Sequence, residues 1–320
     1  LSGDDHGAMH EHDRGLGYDM RIMSRRRAMF FLGAAGAAAV TAGCAAGADS
    51  GAADGVTTAE ASAPTTTGAV APAAPQETAG PYPGDGSNGP NVLIRTGVVR
   101  SDITTSFGGA TGVAEGVPLK LTLSLQDLVK DGAAGAGMAV YVWHCDREGR
   151  YSLYSEGVTE ENYLRGVQVA DAAGAVTFTS IFPACYEGRW PHIHFEVYDS
   201  LESAVAGGDA RLTSQIAMPE DTCDAVFAYD SGYARSIDNI SRVSLESDMV
   251  FGDGWDAELA TVTGTPSQGL TATLTIGVAD RSQNTMAPGA PAGPPPGFDG
   301  TPPQGFPPGG FPSGGMPPGR

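Results

Sequence analysis

His192-Ile193-His194 is the tripeptide whose spacing could most directly do chemistry. Residues i and i+2 of a strand point to the same face, so two imidazoles on an extended segment can reach one metal ion. Glu196 continues that face and offers a 2-His-1-carboxylate set for ferrous iron. By itself a His-x-His strand is a weak signal, and its surroundings strengthen it. Tyr186 lies six residues before His192 and Arg189 three before it, while upstream a Trp143-His144 strand runs into the turn Gly149-Arg150-Tyr151-Ser152.

Strands must hold these groups. Val117 to Leu125 alternates apolar and polar residues with leucines at odd positions, a half-buried strand. Similar runs follow at Ala139 to His144, Gly166 to Ala170, Val176 to Thr179, His192 to Tyr198, Thr213 to Ala217 and Thr271 to Val278, with turn signals between them. The best helical candidate is the short stretch Cys223 to Phe227. This pattern predicts an all-β fold, an antiparallel β-sandwich with few short helices.

The chain carries 37 acidic against 18 basic residues, a formal net charge of −19, which disfavours a grip on nucleic-acid phosphates or anionic lipid. Its 46 glycines and 23 prolines crowd toward the two ends. Met23 to Cys44 reads as an export signal, with Arg25, Arg26 and Arg27, an apolar run from Ala28 to about Val40, then small residues up to a cysteine. That run is too short to span a bilayer. Ser24 with the consecutive arginines and Phe30-Phe31-Leu32 resembles a twin-arginine signal. Thr41-Ala42-Gly43-Cys44 resembles a lipobox, with Thr41 where leucine is usual. The expected organisation is an export signal with an upstream extension over 1–44 and a flexible Ala/Gly/Thr/Pro linker over 45–76, followed by a folded domain over 77–280 and a Pro/Gly-rich disordered tail over 281–320. The product would be extracellular or on the cell surface, its only membrane contact a lipid anchor at Cys44. Cys145, Cys185 and Cys223 remain in a chain bound for an oxidising compartment, so one disulfide is expected: Cys185 with Cys223, stapling loops through a turn at Pro219-Glu220-Asp221-Thr222, or, as its rival, Cys145 with Cys185.

The run VYVWHCDREGRYSLY, then NYLRGVQVADAAGAVTFTSIFPACYEGRWPHIHF, then TSQIAMPED, resembles the intradiol ring-cleavage dioxygenases, the family of catechol and protocatechuate dioxygenases. The Trp-His strand before GxYS, the PxxY turn, RxxHIHF and TSQI agree in order and approximate spacing. ETAGPYPGDGSNG resembles the family's opening segment, so the likeness spans Glu77 to about Asp280. It implies one non-haem Fe(III) held by two tyrosinates, Tyr151 and Tyr186, and two histidines, His192 and His194. Phenols with an ordinary pKa near 10 ionise at neutral pH only beside a strongly Lewis-acidic ion, and hard phenolates favour the ferric state.

The resemblance further implies that Tyr186, as axial ligand, dissociates and helps remove a substrate proton. Arg189 would stabilise negative charge on the substrate ring, and Gln215 would line the pocket beside it. Tyr154 rivals Tyr151, but only Tyr151 holds the GxY position; His144 falls at a structural position. Tyr82, in Gly80-Pro81-Tyr82-Pro83, is expected at the pocket mouth or in packing. Glu187 to Pro191 is shorter than the loop many family enzymes carry, which implies a more open pocket. No helical dimerisation segment precedes the core, which favours the monomeric or simply assembled exported branch. The expected function is an exported ferric dioxygenase that splits a catechol between its hydroxylated carbons, with O2 as co-substrate, to a cis,cis-muconate-type diacid. The alternative is a non-catalytic exported metal-binding sandwich or adhesion module.

Overall fold

The computed structural model describes residues 69–283. The export signal, with Cys44, most of the linker and nearly all of the Pro/Gly-rich tail lie outside the described residues. Among the described residues no helix is long and apolar enough to cross a membrane.

Alternation along Pro118–Asp127 (β1) builds one wall of the core: Leu119, Leu121, Leu123 and Leu125 are buried, while Pro118 and Lys120 are exposed. Each buried leucine contributes about 1.5–3 kcal/mol of apolar transfer. On one side β1 pairs with Ala133–Ala134 (β2) and Ala175–Ile181 (β5), on the other with Gly269–Val278 (β9), which in turn pairs with Thr261–Thr265 (β8). The second sheet has the order Arg165–Val169 (β4), Ala139–Trp143 (β3), His192–Tyr198 (β6), Leu212–Ala217 (β7) and is antiparallel throughout. Val140, Val142, Ile193, Phe195 and Ile216 join the β1 leucines, Phe178 and Ile276 in one buried cluster, so the two sheets close on a common core.

The all-β sandwich with few short helices is therefore what forms, with one departure from antiparallel pairing. β1 and β9 run parallel, Leu119 opposite Leu270 through Asp127 opposite Val278. Parallel neighbours need a crossover connection, and here the whole second sheet and the helices intervene. Helices cover Leu201–Val205, Glu220–Tyr229 and Ala234–Ile240. The second extends the expected Cys223–Phe227 stretch to both sides, starting directly after Pro219.

That helix also bears on the cysteines. Cys145, Cys185 and Cys223 are all free, which corrects the expected Cys185–Cys223 bridge and its Cys145–Cys185 rival. Cys223 sits buried on the helix instead of in a turn, its thiol toward the Met218 carbonyl at 4.0 Å. The Cys185 thiol donates to the Arg189 carbonyl at 3.3 Å and that of Cys145 to the Ala184 carbonyl at 3.6 Å. Each sulfur is directed at backbone, not at another sulfur.

β7 is a sheet edge, and two segments cover it. The Glu77 N–H donates to the Thr213 carbonyl at 2.8 Å, and the Ala217 N–H to the Glu258 carbonyl at 2.9 Å. Covering the edge removes a site of chain pairing, and it also buries the Glu258 carboxyl. Oε1 accepts the Ser214 hydroxyl at 3.1 Å and Oε2 has no partner. Burial first, then the neighbouring Glu77, pushes this carboxyl up to about 9. The fold thus holds a proton that the unfolded chain releases near pH 4.3. Stability falls as pH rises through that window, by up to about 1.4 kcal/mol per unit. Between about pH 6 and about pH 8, Glu258→Gln is expected to lose less stability than the natural chain in urea unfolding; equal slopes would contradict the assignment.

Candidate metal centre

Every residue of β6 is buried. Alternation sends Ile193, Phe195 and Val197 into the apolar core and His192, His194 and Glu196 to the opposite face. Register places His194 between Trp143 of β3 and Gln215 of β7. Trp143 stacks on the His194 ring, with centroids 4.9 Å apart and planes 3° from parallel.

Three irregular segments lie over this face. The turn after β3 carries Tyr151, whose N–H donates to the Ser155 hydroxyl and whose carbonyl accepts the Ser155 N–H, both at 2.9 Å. Tyr186 follows β5, and its neighbour Cys185 is tied to the helix Ala234–Ile240. The Cys185 N–H donates to the Ser236 hydroxyl at 3.0 Å, and the Asn239 amide donates to the Cys185 carbonyl at 2.9 Å. The third segment is the N-terminal strap. Gly80, at φ +69°, lies so close to His194 that a Cβ there would stand 3.2 Å from the ring. Tyr82 packs its ring against Tyr151 and Tyr154, at 4.9 and 5.1 Å between centroids.

Four donor atoms meet beneath these segments. The Nε2 atoms of His192 and His194 are 3.1 Å apart, and the hydroxyls of Tyr186 and Tyr151 stand 3.3 and 3.5 Å from His192 Nε2. His192 Nδ1 lies 2.5 Å from the Trp190 carbonyl, which can only accept, so the proton sits on Nδ1 and Nε2 presents a lone pair. Two phenols and a second imidazole thus crowd one lone pair, the phenols at distances long for an O–H···N bond. His194 Nδ1 is buried without a partner. Burial, then Arg189, lowers His192; burial, then His192, lowers His194, so both rings are neutral. Burial, then Tyr186, raises Tyr151 well above the ordinary phenol value. Neutral imidazoles beside phenols that ionise only next to strong positive charge form a donor set that fits a hard, highly charged metal ion.

The other candidates separate cleanly. Glu196 accepts the Tyr198 hydroxyl at 2.7 Å and the Thr213 hydroxyl at 3.3 Å. Among the described residues no group of three or more His, Cys, Asp or Glu is placed to hold a metal ion, which corrects the 2-His-1-carboxylate reading. The Tyr154 hydroxyl donates to Asn88 Oδ1 at 2.8 Å and accepts the Gly84 N–H at 2.9 Å. His144 spends both ring nitrogens on the Cys145 carbonyl and the Ser180 hydroxyl. A cavity of about 400 Å³ lined by Arg95, Phe107 and Glu160 has none of the donor residues in its wall.

Arg189 and Gln215 are joined: Nη2 donates to Gln215 Oε1 at 2.7 Å, and Gln215 Nε2 donates to the Thr78 carbonyl at 2.9 Å. Sequence reasoning missed the residue that holds them. Asp248, fully buried, accepts Arg189 Nε at 3.0 Å and the Trp190 N–H at 2.7 Å. One carboxylate thereby orients the guanidinium and, through Trp190, the His192 ring. Burial, the largest influence, would raise Asp248, but the Arg189 charge and the hydrogen bonds from Arg189 and the Trp190 N–H together outweigh it and hold the carboxyl below its usual range. Its stabilising contribution is present above about pH 4 and is lost as pH falls further. Removing one partner of a buried pair costs about 3–5 kcal/mol. Asp248→Asn is expected to lose that much in urea unfolding at neutral pH; a loss below about 1 kcal/mol would show that the pair does not hold the site.

The family described as Dioxygenase (Dioxygenase_C) matches residues 89–223. The structure is similar to that of the intradiol ring-cleavage dioxygenase from Tetranychus urticae, at 25% identity and a TM-score of 0.51, covering 65% of this chain and 95% of that one. Catechol 1,2-dioxygenase from Pseudomonas arvilla C-1 aligns at 18% identity and a TM-score of 0.38, over 63% of this chain and 62% of that one. Residues 89–223 thus match a dioxygenase family model, and the sandwich is similar to that of a solved intradiol ring-cleavage dioxygenase.

Proposed function

We propose that this chain is a non-haem Fe(III) dioxygenase that opens a catechol between its two hydroxylated carbons, consuming O2 and yielding a cis,cis-muconate-type diacid. One observation carries the reading. Two phenol oxygens and two imidazole nitrogens, drawn from the β3 turn, the segment after β5 and strand β6, approach a single point at His192 Nε2.

Tyr151, Tyr186, His192 and His194 would hold the ion. Bound there, ferric iron supplies the Lewis acidity that ionises phenols and catechol and makes the electron-rich ring reactive toward O2. The remaining work falls to the chain. Tyr186 is the less buried of the two phenols, and as a phenolate it is placed to take a proton from a catechol hydroxyl. The Arg189 guanidinium is fixed in advance by Asp248 and Gln215, so it can stabilise negative charge on the ring without reorganising. Gly80 and Tyr82 wall the site and limit water.

The iron-loaded protein is expected to be burgundy from tyrosinate-to-iron charge transfer, with the band altered in Tyr151→Phe and in Tyr186→Phe. Catechol should be consumed one-to-one with O2 to a diacid that carries both oxygen atoms. Arg189→Ala should lower kcat by about 10²–10³. A colourless protein at full iron occupancy would remove the tyrosinate assignment, and a semialdehyde product would overturn the position of ring cleavage. Iron binding and colour without oxygen uptake would support the non-catalytic metal-binding alternative.

A further inference from the structure

Arg165 is wholly buried, yet among the described residues it has no carboxylate partner. Its donors go to neutral acceptors on three separate elements. Nε donates to the Ser152 hydroxyl at 3.1 Å and Nη2 to the Ser152 carbonyl at 3.0 Å. Nη1 donates to the Pro83 carbonyl at 2.9 Å and to the Tyr141 hydroxyl at 3.2 Å. Tyr141 itself donates to Pro83 at 2.6 Å, and the guanidinium carbon stands 5.4 Å from the centre of the Tyr154 ring. A buried cation tolerated on neutral acceptors alone needs a reason.

The connections supply one. Ser152 follows Tyr151 directly, and Pro83 ends the strap that lays Gly80 on His194 and Tyr82 on Tyr151. Backbone conformation marks the same junction independently. Leu153 and Leu164, next to Ser152 and Arg165, are two of the three non-glycine residues with positive φ among the described residues, at 72° and 55°. Gly84, at φ +67°, leaves room for the guanidinium, because a Cβ there would stand 2.9 Å from Nη1. From this, the geometry points to Arg165 as a positioning residue. It pins the Tyr151 turn and the N-terminal strap to its own strand β4 and, through Tyr141, to β3, and so sets the reach of the Tyr151 hydroxyl toward the imidazoles. The inference rests on the metal centre proposed above for its spectroscopic arm only.

The test compares the natural chain with Arg165→Met, Arg165→Lys and Ser152→Ala. In the metal-free protein, amide hydrogen exchange at Tyr151 to Ser155 is expected to quicken at least about tenfold in Arg165→Met, while the β1 amides stay protected. After loading with ferric ion, the charge-transfer band should shift and ferric affinity fall by about 10- to 100-fold, with Arg165→Lys recovering only part of the loss. Should Arg165→Met fail to fold, Ser152→Ala decides, with faster exchange at Tyr151 and a smaller shift of the band expected. Unchanged exchange at Tyr151 to Ser155 in a folded Arg165→Met, or in Ser152→Ala where that variant decides, would overturn the inference. A natural chain that binds no ferric ion would instead count against the proposed function and leave the exchange result to stand by itself.

Discussion

Burial of β6 on both faces is the constraint from which the rest follows. A strand alternates its side chains, so one register must satisfy two environments at once. Ile193, Phe195 and Val197 are committed to the sandwich core, which leaves His192, His194 and Glu196 no choice of face. A slip of one residue would drive two imidazoles and a carboxyl into apolar packing. The cost of that error makes the polar face accurate, and a pair of nitrogens 3.1 Å apart depends on such accuracy.

Polar groups on that face are buried too, and the chain answers with fixed hydrogen-bond partners. Asp248 holds Arg189, Gln215 bridges Arg189 to the strap, and Trp190 holds His192 through its carbonyl. Arg211 does similar work at the far end of the sandwich, where it donates to Asp127 at 2.6 Å and to the Ala279 carbonyl at 2.9 Å, joining β1 to the end of β9. In this fold buried charges serve as joints between segments distant in sequence. Such joints contribute modestly to net stability and strongly to uniqueness of geometry, which a site built from three segments requires.

Much of this was legible in the residues. The leucines of β1 announce their strand because period-2 burial leaves a direct trace, and the His-x-His run marks both its strand and the face on which two imidazoles meet. Tyr151 and Tyr186 became legible through the motifs around them, since a lone tyrosine carries no signal of what its oxygen faces. β8 was missed because Thr261–Thr265 is largely exposed and has no apolar face to show. Asp248 was missed because its role at the site lies in contacts 58 and 59 residues away along the chain, while locally it caps the Val250 and Phe251 N–H groups as many aspartates do. The disulfide expectation failed for a local reason. The helix Glu220–Tyr229 carries Cys223 inward, and the proline and acidic residues that open it read equally well as a turn.

X-ray absorption at the iron edge of the loaded natural chain, compared with Tyr151→Phe and Tyr186→Phe, tests most directly whether these four side chains share one ion. The expected result is a ferric ion with a mixed nitrogen and oxygen first shell that loses one oxygen scatterer in each variant. An iron environment unchanged by both substitutions, or one containing sulfur from the buried thiols, would contradict it.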